Sequence, residues 1–171
     1  FRLSESKKTI ALLPGSRKQE VSLILPLMLK AAQLINKIIP QTQFVIAKSP
    51  NLDTQVYQDV CKNFSLDLKI IDGKTHDCLN MAEASLVCSG TATLEAAIAQ
   101  KPFVIVYKTN LLNYMLYRPQ IKIPYIGMVN IVAGKKIVPE FIQFGANPKK
   151  IAESILKFLQ EPEYANRLTQ D

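Results

Sequence analysis

Short apolar runs alternate with stretches of helical periodicity along most of this chain, and that alternation most narrows the folds open to it. Thr9 to Leu13 reads as a buried strand stopped by Pro14-Gly15, after which Ser16 can cap a helix from about Arg17 to Ile39. Pro26 is expected to kink or divide that helix. Gln43 to Ala47 is the next strand, followed by a helix from about Asp53 to Asn63. Leu68 to Ile71 is the third strand, then Asp72-Gly73 and a helix from about Thr75 to Ala82. Ser85 to Cys88 leads into a helix at Thr91 to Ala99, and Phe103 to Tyr107 is the fifth strand. Strands and helices alternating at this spacing predict an α/β fold with a doubly wound parallel sheet. Ligands in such sheets bind beyond the carboxyl ends of the strands, where Gly15-Ser16-Arg17 and Ser89-Gly90-Thr91 are both expected to lie.

The remainder is less regular. Asn110 to Tyr117 reads as helical, Pro119 and Pro124 break it, and Val129 to Ala133 is a short apolar segment. From Pro148 to Leu159 the apolar positions Ile151, Ile155, Phe158 and Leu159 recur at helical spacing, which predicts a terminal helix. A chain of 171 residues, without repeats or low-complexity linkers, fits one domain over residues 1–171. No apolar run is expected to approach the roughly 20 residues that span a bilayer. The three cysteines, Cys61, Cys78 and Cys88, have no metal-ligand spacing with the single His76, so they read as reduced thiols and no metal site is expected. The formal net charge of +7 favours anionic partners. Nucleic acid is disfavoured among them, because Lys and Arg are scattered and not interleaved with aromatics in a binding motif.

The segment Cys88-Ser89-Gly90-Thr91-Ala92-Thr93-Leu94-Glu95 concentrates the chemistry. Small residues follow an apolar run and open a helix, so free backbone amides can meet a diphosphate, with Ser89 and Thr91 as N-cap types and Gly90 allowing close approach. Glu95 lies about one turn further on, where a carboxylate can accept hydrogen bonds from a ribose diol. An ordinary capped helix with a surface glutamate fits the same residues. Arg17 offers a planar fork that grips phosphate oxygens, at a helix start where the dipole disfavours a cation. Glu20, three residues on, either caps that helix or pairs with a neighbouring lysine, or else touches the ligand.

Leu13-Pro14-Gly15-Ser16-Arg17 with Glu20, then Ser89-Gly90-Thr91-Ala92-Thr93-Leu94-Glu95, Tyr107-Lys108, Val129-Asn130-Ile131-Val132-Ala133-Gly134 and Val138-Pro139-Glu140-Phe141-Ile142-Gln143 form an ordered set. The set resembles the carboxyl-terminal half of the lipid-A-disaccharide synthase family. That resemblance implies a Rossmann-like half-domain of a GT-B inverting glycosyltransferase, the missing amino-terminal half carrying the acceptor pocket and the acidic catalytic residues. It implies transfer of 2,3-diacylglucosamine from UDP-2,3-diacylglucosamine to 2,3-diacylglucosamine 1-phosphate (lipid X), giving the β-1,6 disaccharide 1-phosphate and UDP, with no metal or other cofactor. This piece alone is then expected to bind donor without turning over. Other implied partners are the cytoplasmic face of the inner membrane and the enzyme's own acceptor domain; a homodimer is left open. One departure is Met128-Val129, where many members carry Leu-Pro before the asparagine, which puts the local backbone at Asn130 in question.

By the resemblance, the donor site gathers Ser16, Arg17, Ser89, Gly90, Thr91, Ala92, Thr93, Glu95, Asn130 and Gln143, with Arg17 stabilising the leaving group. Asn130 and Gln143 can read uracil or sugar hydroxyls, or satisfy loop backbone; Lys108 can reach phosphate or stay solvated. Leu23, Ile24 and Leu25, and the face of Leu111, Leu112, Met115 and Leu116 beside Tyr114, Tyr117 and Arg118, are either helical core or lipid-facing. Two other functions use the same features: another UDP-N-acetylglucosamine-dependent transferase or UDP-sugar epimerase, and a non-catalytic module for nucleotide or anionic lipid.

Overall fold

The computed structural model describes residues 3–117 and 124–170. Six parallel strands are described: β1 (Lys8–Leu13), β2 (Thr42–Lys48), β3 (Leu68–Asp72), β4 (Ala84–Cys88), β5 (Phe103–Tyr107) and β6 (Glu140–Ile142). They form one sheet in the order β3-β2-β1-β4-β5-β6. Strand β1 pairs on one side with β2, Ile10 opposite Phe44, and on the other with β4, Leu12 opposite Leu86. Between β1 and β4 the direction of winding reverses, and the loops leaving these two strands part to opposite faces.

Side chains alternate along each strand, so one run of apolar residues serves two cores. Ile10, Leu12, Phe44, Ile46, Leu86 and Val106 face a layer made by α1 (Lys18–Ile38), α2 (Thr54–Cys61) and α7 (Pro148–Gln160). Ala11, Leu13, Val45, Val87 and Ile105 face a second layer of α3 (Thr75–Met81), α4 (Ala92–Ile98) and α6 (Met128–Ala133). The predicted α/β fold with its doubly wound sheet is therefore present, with the first five strands within a residue of their expected ends at each terminus.

Three elements are additional to those expected from the sequence. Strand β6 is three residues long, too short for a period-two signal, and is recruited by pairing with β5 at Val106 opposite Phe141. Helix α8 (Pro162–Gln170) follows α7 after one residue and is held by Tyr164, which stacks on Phe158 at 5.9 Å and lies 3.9 Å beneath the Lys157 ammonium. The third is α6, the helix into which the short apolar segment Val129–Ala133 folds, closed by Gly134 at φ 65°. Helix α5 (Leu111–Tyr117) matches its expectation, while Pro119 and Arg118 lie outside the described residues.

Helix α1 runs through Pro26 as one helix, so the expected division does not occur. Proline still removes the N–H that would bond the carbonyl of Ser22, and that carbonyl belongs to an exposed residue that water can reach. By length and composition α1 is apolar enough to cross a bilayer, which the sequence reading did not anticipate. In this fold its apolar stripe, with Val21, Ile24, Leu25, Met28 and Leu29 fully buried, packs on the sheet and on α7. Restoring the missing donor with Pro26→Ala is expected to raise stability by about 1–3 kcal/mol, read from the urea unfolding midpoint. An unchanged or lower midpoint would show that the ring's packing outweighs the lost hydrogen bond.

Candidate functional site

Parallel pairing of β1 with β4 brings their following turns side by side at the carboxyl edge of the sheet. The turn after β1 (Pro14 to Arg17) and the turn after β4 (Ser89 to Thr91) flank an open cleft of about 440 Å³. Ser49 and Pro50 behind β2, Thr75 at the start of α3 and Met128 at the start of α6 complete its walls. The two turns predicted from sequence to share a ligand are thus brought together.

The β4 turn is shaped by its backbone. Gly90 has φ 153° and nothing within 4 Å of where a side chain would start, so the chain passes the cleft with open space before it. Thr93 is fully buried, and both its hydroxyl and its amide donate to the Gly90 carbonyl, at 2.8 and 3.1 Å. The amides of Gly90, Thr91 and Ala92 donate to no acceptor among the described residues. They are what the turn offers an anion.

The β1 turn offers a cation. Glu20 accepts from the backbone amides of Ser16 (3.0 Å) and Arg17 (3.2 Å), and its second oxygen lies 3.1 Å from the Arg17 guanidinium. Gly15, at φ 109°, has no room for a β-carbon because the Glu20 carboxylate occupies that space. Glu20 therefore takes the capping role, with Arg17 rather than a lysine as its cationic partner, and leaves Arg17 82 % exposed at the mouth of the cleft. Glu95 lines the opposite wall, its carboxylate 3.7 Å from the imidazole of His76.

Several sequence assignments are corrected at this level. Ser89 does not cap α4; its hydroxyl donates to the Ile126 carbonyl at 2.8 Å, and Thr91, the residue at the cap position, makes no side-chain cap bond. Thr93 faces away from the cleft and holds the turn. Asn130 is fully buried, its amide nitrogen donating to the Val138 carbonyl and to Glu140, both at 2.8 Å, while its oxygen accepts from Ile137 and Val138. Every hydrogen-bonding position of that amide is filled, so it cannot also read a base. Gln143 clasps Thr109 through both amide atoms, which holds its backbone at φ 48°, and it too faces no ligand. Lys108 stands beyond β5 and does not line the cleft. Ile24 and Leu25 are core, with Leu23 half-buried against it, whereas Leu111, Leu112, Met115 and Leu116 are exposed.

A model of the lipid-A-disaccharide synthetase family matches residues 1–170. The chain belongs to that family. It is 42 % identical over 172 residues to the lipid-A-disaccharide synthase of Syntrophus aciditrophicus, covering 100 % of this chain and 45 % of that protein. Against the enzyme of Anaeromyxobacter dehalogenans strain 2CP-1 it is 39 % identical, over 92 % of this chain and 41 % of the relative. The chain thus spans somewhat under half the length of the curated relatives it matches. Among solved structures, the UDP-N-acetylglucosamine 2-epimerase of Neisseria meningitidis superposes with a TM-score of 0.63 at 19 % identity, over 98 % of this chain and 40 % of that one. The ADP-heptose heptosyltransferase II of E. coli superposes with a TM-score of 0.60 at 15 % identity, over 95 % and 49 %. Those two likenesses concern the fold, that of one GT-B half.

Within this family's motifs, the residue that the sequence did not single out is Glu140. Its carboxylate accepts from the amides of Ile126 (3.1 Å) and Gly127 (3.0 Å) and from Asn130, and Ile126 in turn accepts from Ser89. A chain of hydrogen bonds therefore runs from the β6 strand to the cleft turn. A glutamate opening a short strand has no periodic signature; only its place between Asn130 and Gln143 in the quoted motif hinted at it. Glu140→Ala strands three donors at once and is expected to cost at least about 2 kcal/mol in urea unfolding, whereas Glu95→Ala is expected to stay within about 0.5 kcal/mol. Equal costs would remove the distinction between tie and binding group.

The thiols are chemically quiet. Cys88 forms part of the cleft floor, and burial, helped by the Glu20 charge, pushes its pKa up to about 12; burial raises Cys78 to about 11. A raised thiol pKa means less thiolate at a given pH, and the thiolate is the nucleophile. Cys78, two residues from His76, is fully buried, while His76 points to Glu95, so the two do not form a nucleophilic pair. Iodoacetamide at pH 8 is expected to label half-buried Cys61 first, with Cys78 and Cys88 reacting only after unfolding. Native labelling of Cys88 ahead of Cys61, read by peptide mass, would overturn that order.

Proposed function

We propose that this chain is the donor-nucleotide half of a lipid-A-disaccharide synthase, with residues 1–171 forming its UDP-sugar-binding domain. It holds UDP-2,3-diacylglucosamine while the remainder of the enzyme presents lipid X. The bond between the anomeric carbon and the diphosphate oxygen breaks with its electron pair leaving on UDP. The acceptor 6-hydroxyl oxygen takes its place on the opposite face, its proton passing to a base outside this chain, and the β-1,6 disaccharide 1-phosphate results. The observation that carries this reading is the meeting of the Arg17 and Ser89 turns at one cleft in a member of this family.

Charge develops on the departing diphosphate, and groups already in place must meet it. The open amides of Gly90, Thr91 and Ala92 and the Arg17 fork can do so without a metal; a preorganised donor of this kind is commonly worth about 2–4 kcal/mol of barrier. Glu95, across the cleft, is positioned to accept from the ribose diol. Attachment to the cytoplasmic face of the inner membrane is read onto α5, whose Leu112 is 81 % exposed and Met115 65 % exposed beside a chain of net positive charge.

Calorimetric titration with UDP tests the site. Arg17→Ala and Glu95→Ala are each expected to weaken binding about tenfold or more, corresponding to about 1.4 kcal/mol, with the unfolding midpoint unchanged. Unaltered affinity in both variants would dismiss the site. The activity is tested in the full-length parent with UDP-2,3-diacylglucosamine and lipid X, where disaccharide and UDP are the expected products. Equal turnover of unacylated UDP-N-acetylglucosamine would assign the chain to a different UDP-sugar enzyme.

A further inference from the structure

His76 is the chain's single histidine, and the donor-site reading leaves it without a role. It occupies the first turn of α3, immediately after Thr75 of the cleft wall, and its Nε2 stands 3.7 Å from Oε2 of Glu95 on α4. That separation is within ion-pair range but beyond a hydrogen bond, so the contact depends on whether the ring carries charge. Helices α3 and α4 pack together, which fixes the two backbones relative to each other while leaving both side chains at the rim.

We infer that His76 is a positioning residue for Glu95: its imidazolium anchors one carboxylate oxygen and presents the other to the vicinal diol of a bound nucleotide. This rests on the donor-site reading above. A free glutamate must freeze its side-chain rotations when it grips a diol, and a partner that has already frozen them lowers that cost. Each carboxylate oxygen has two lone pairs, so a cation on Oε2 leaves ample acceptor capacity for two hydroxyls. A neutral ring offers no such attraction. Nucleotide affinity then becomes coupled to the charge on His76, and binding tightens as pH falls through the imidazole range.

The other charged groups around the ring do not supply the same coupling. Lys74 and Asp77 flank it along the chain, at the cap position and in the first turn of α3. On the sheet side, Lys48 of β2 is committed to Asp72 of β3 at 3.0 Å, and β1 carries only Lys8, at its amino-terminal end. Glu95 is the acidic group facing the ring from α4.

The probe is UDP-N-acetylglucosamine, whose diphosphate is esterified at both ends and so does not titrate in this range, unlike the terminal phosphate of UDP. Affinity is measured at pH 6, 7 and 8 for the unaltered protein and for His76→Asn, His76→Arg and Glu95→Gln. The unaltered protein is expected to bind about threefold more tightly at pH 6 than at pH 8, the direction that a contact requiring a charged ring demands. His76→Asn is expected to be flat at the weaker level and His76→Arg flat at the tighter one. Glu95→Gln is expected to be weak and flat. A flat profile in the unaltered protein, or a pH dependence that survives in His76→Asn or Glu95→Gln, overturns the inference while the donor site stands. Absence of saturable binding at every pH overturns the donor site itself.

Discussion

Everything at the cleft depends on one feature of the sheet: β1 is hydrogen-bonded to β2 on one side and to β4 on the other, all three parallel. A chain that winds outward from β1 in one direction, and later outward from β4 in the other, must leave a gap between the first and the fourth connection. The gap opens at the carboxyl ends, where backbone amides run out of partners within the sheet. Two turns 72 residues apart, measured from Arg17 to Ser89, are brought to one place by register alone. No long-range side-chain contact between them is required.

Register sets the location; a separate network sets the shape. Ser89 is tied to Ile126, Ile126 and Gly127 to Glu140, and Glu140 to Asn130. These groups are polar and buried or half-buried, so leaving them unpaired is costly, and together they admit few arrangements. The motif residues thus divide into two kinds. Arg17, Thr91, Ala92 and Glu95 face the cleft, while Thr93, Asn130, Glu140 and Gln143 hold the backbone that presents them.

That division explains which parts were legible in the sequence. Four buried strands and the half-buried β3 announce themselves as apolar runs, and the helices between them by their spacing. The alternation places the Gly15 and Gly90 turns at the carboxyl edge of the sheet; that they are neighbours follows from the strand order. Strand β6 and helix α8 were not legible, because the first exists only through its pairing with β5 and the second through Tyr164 against α7. That Asn130 and Gln143 do not line the cleft was equally hidden. An amide between apolar neighbours has the same sequence signature whether its hydrogen bonds go to a base or to the chain itself.

Helix α1 has a consequence that reaches beyond packing. It begins at the Arg17 turn and runs for 21 residues, a rod about 30 Å long by the usual rise per residue, clamped along its flank by α7. A rigid rod pivoting at its distant end by about 5° carries its near end through about 2.6 Å, close to the length of one hydrogen bond. Substitutions beneath Ile35, far from any bound nucleotide, thereby gain leverage over where the guanidinium comes to rest.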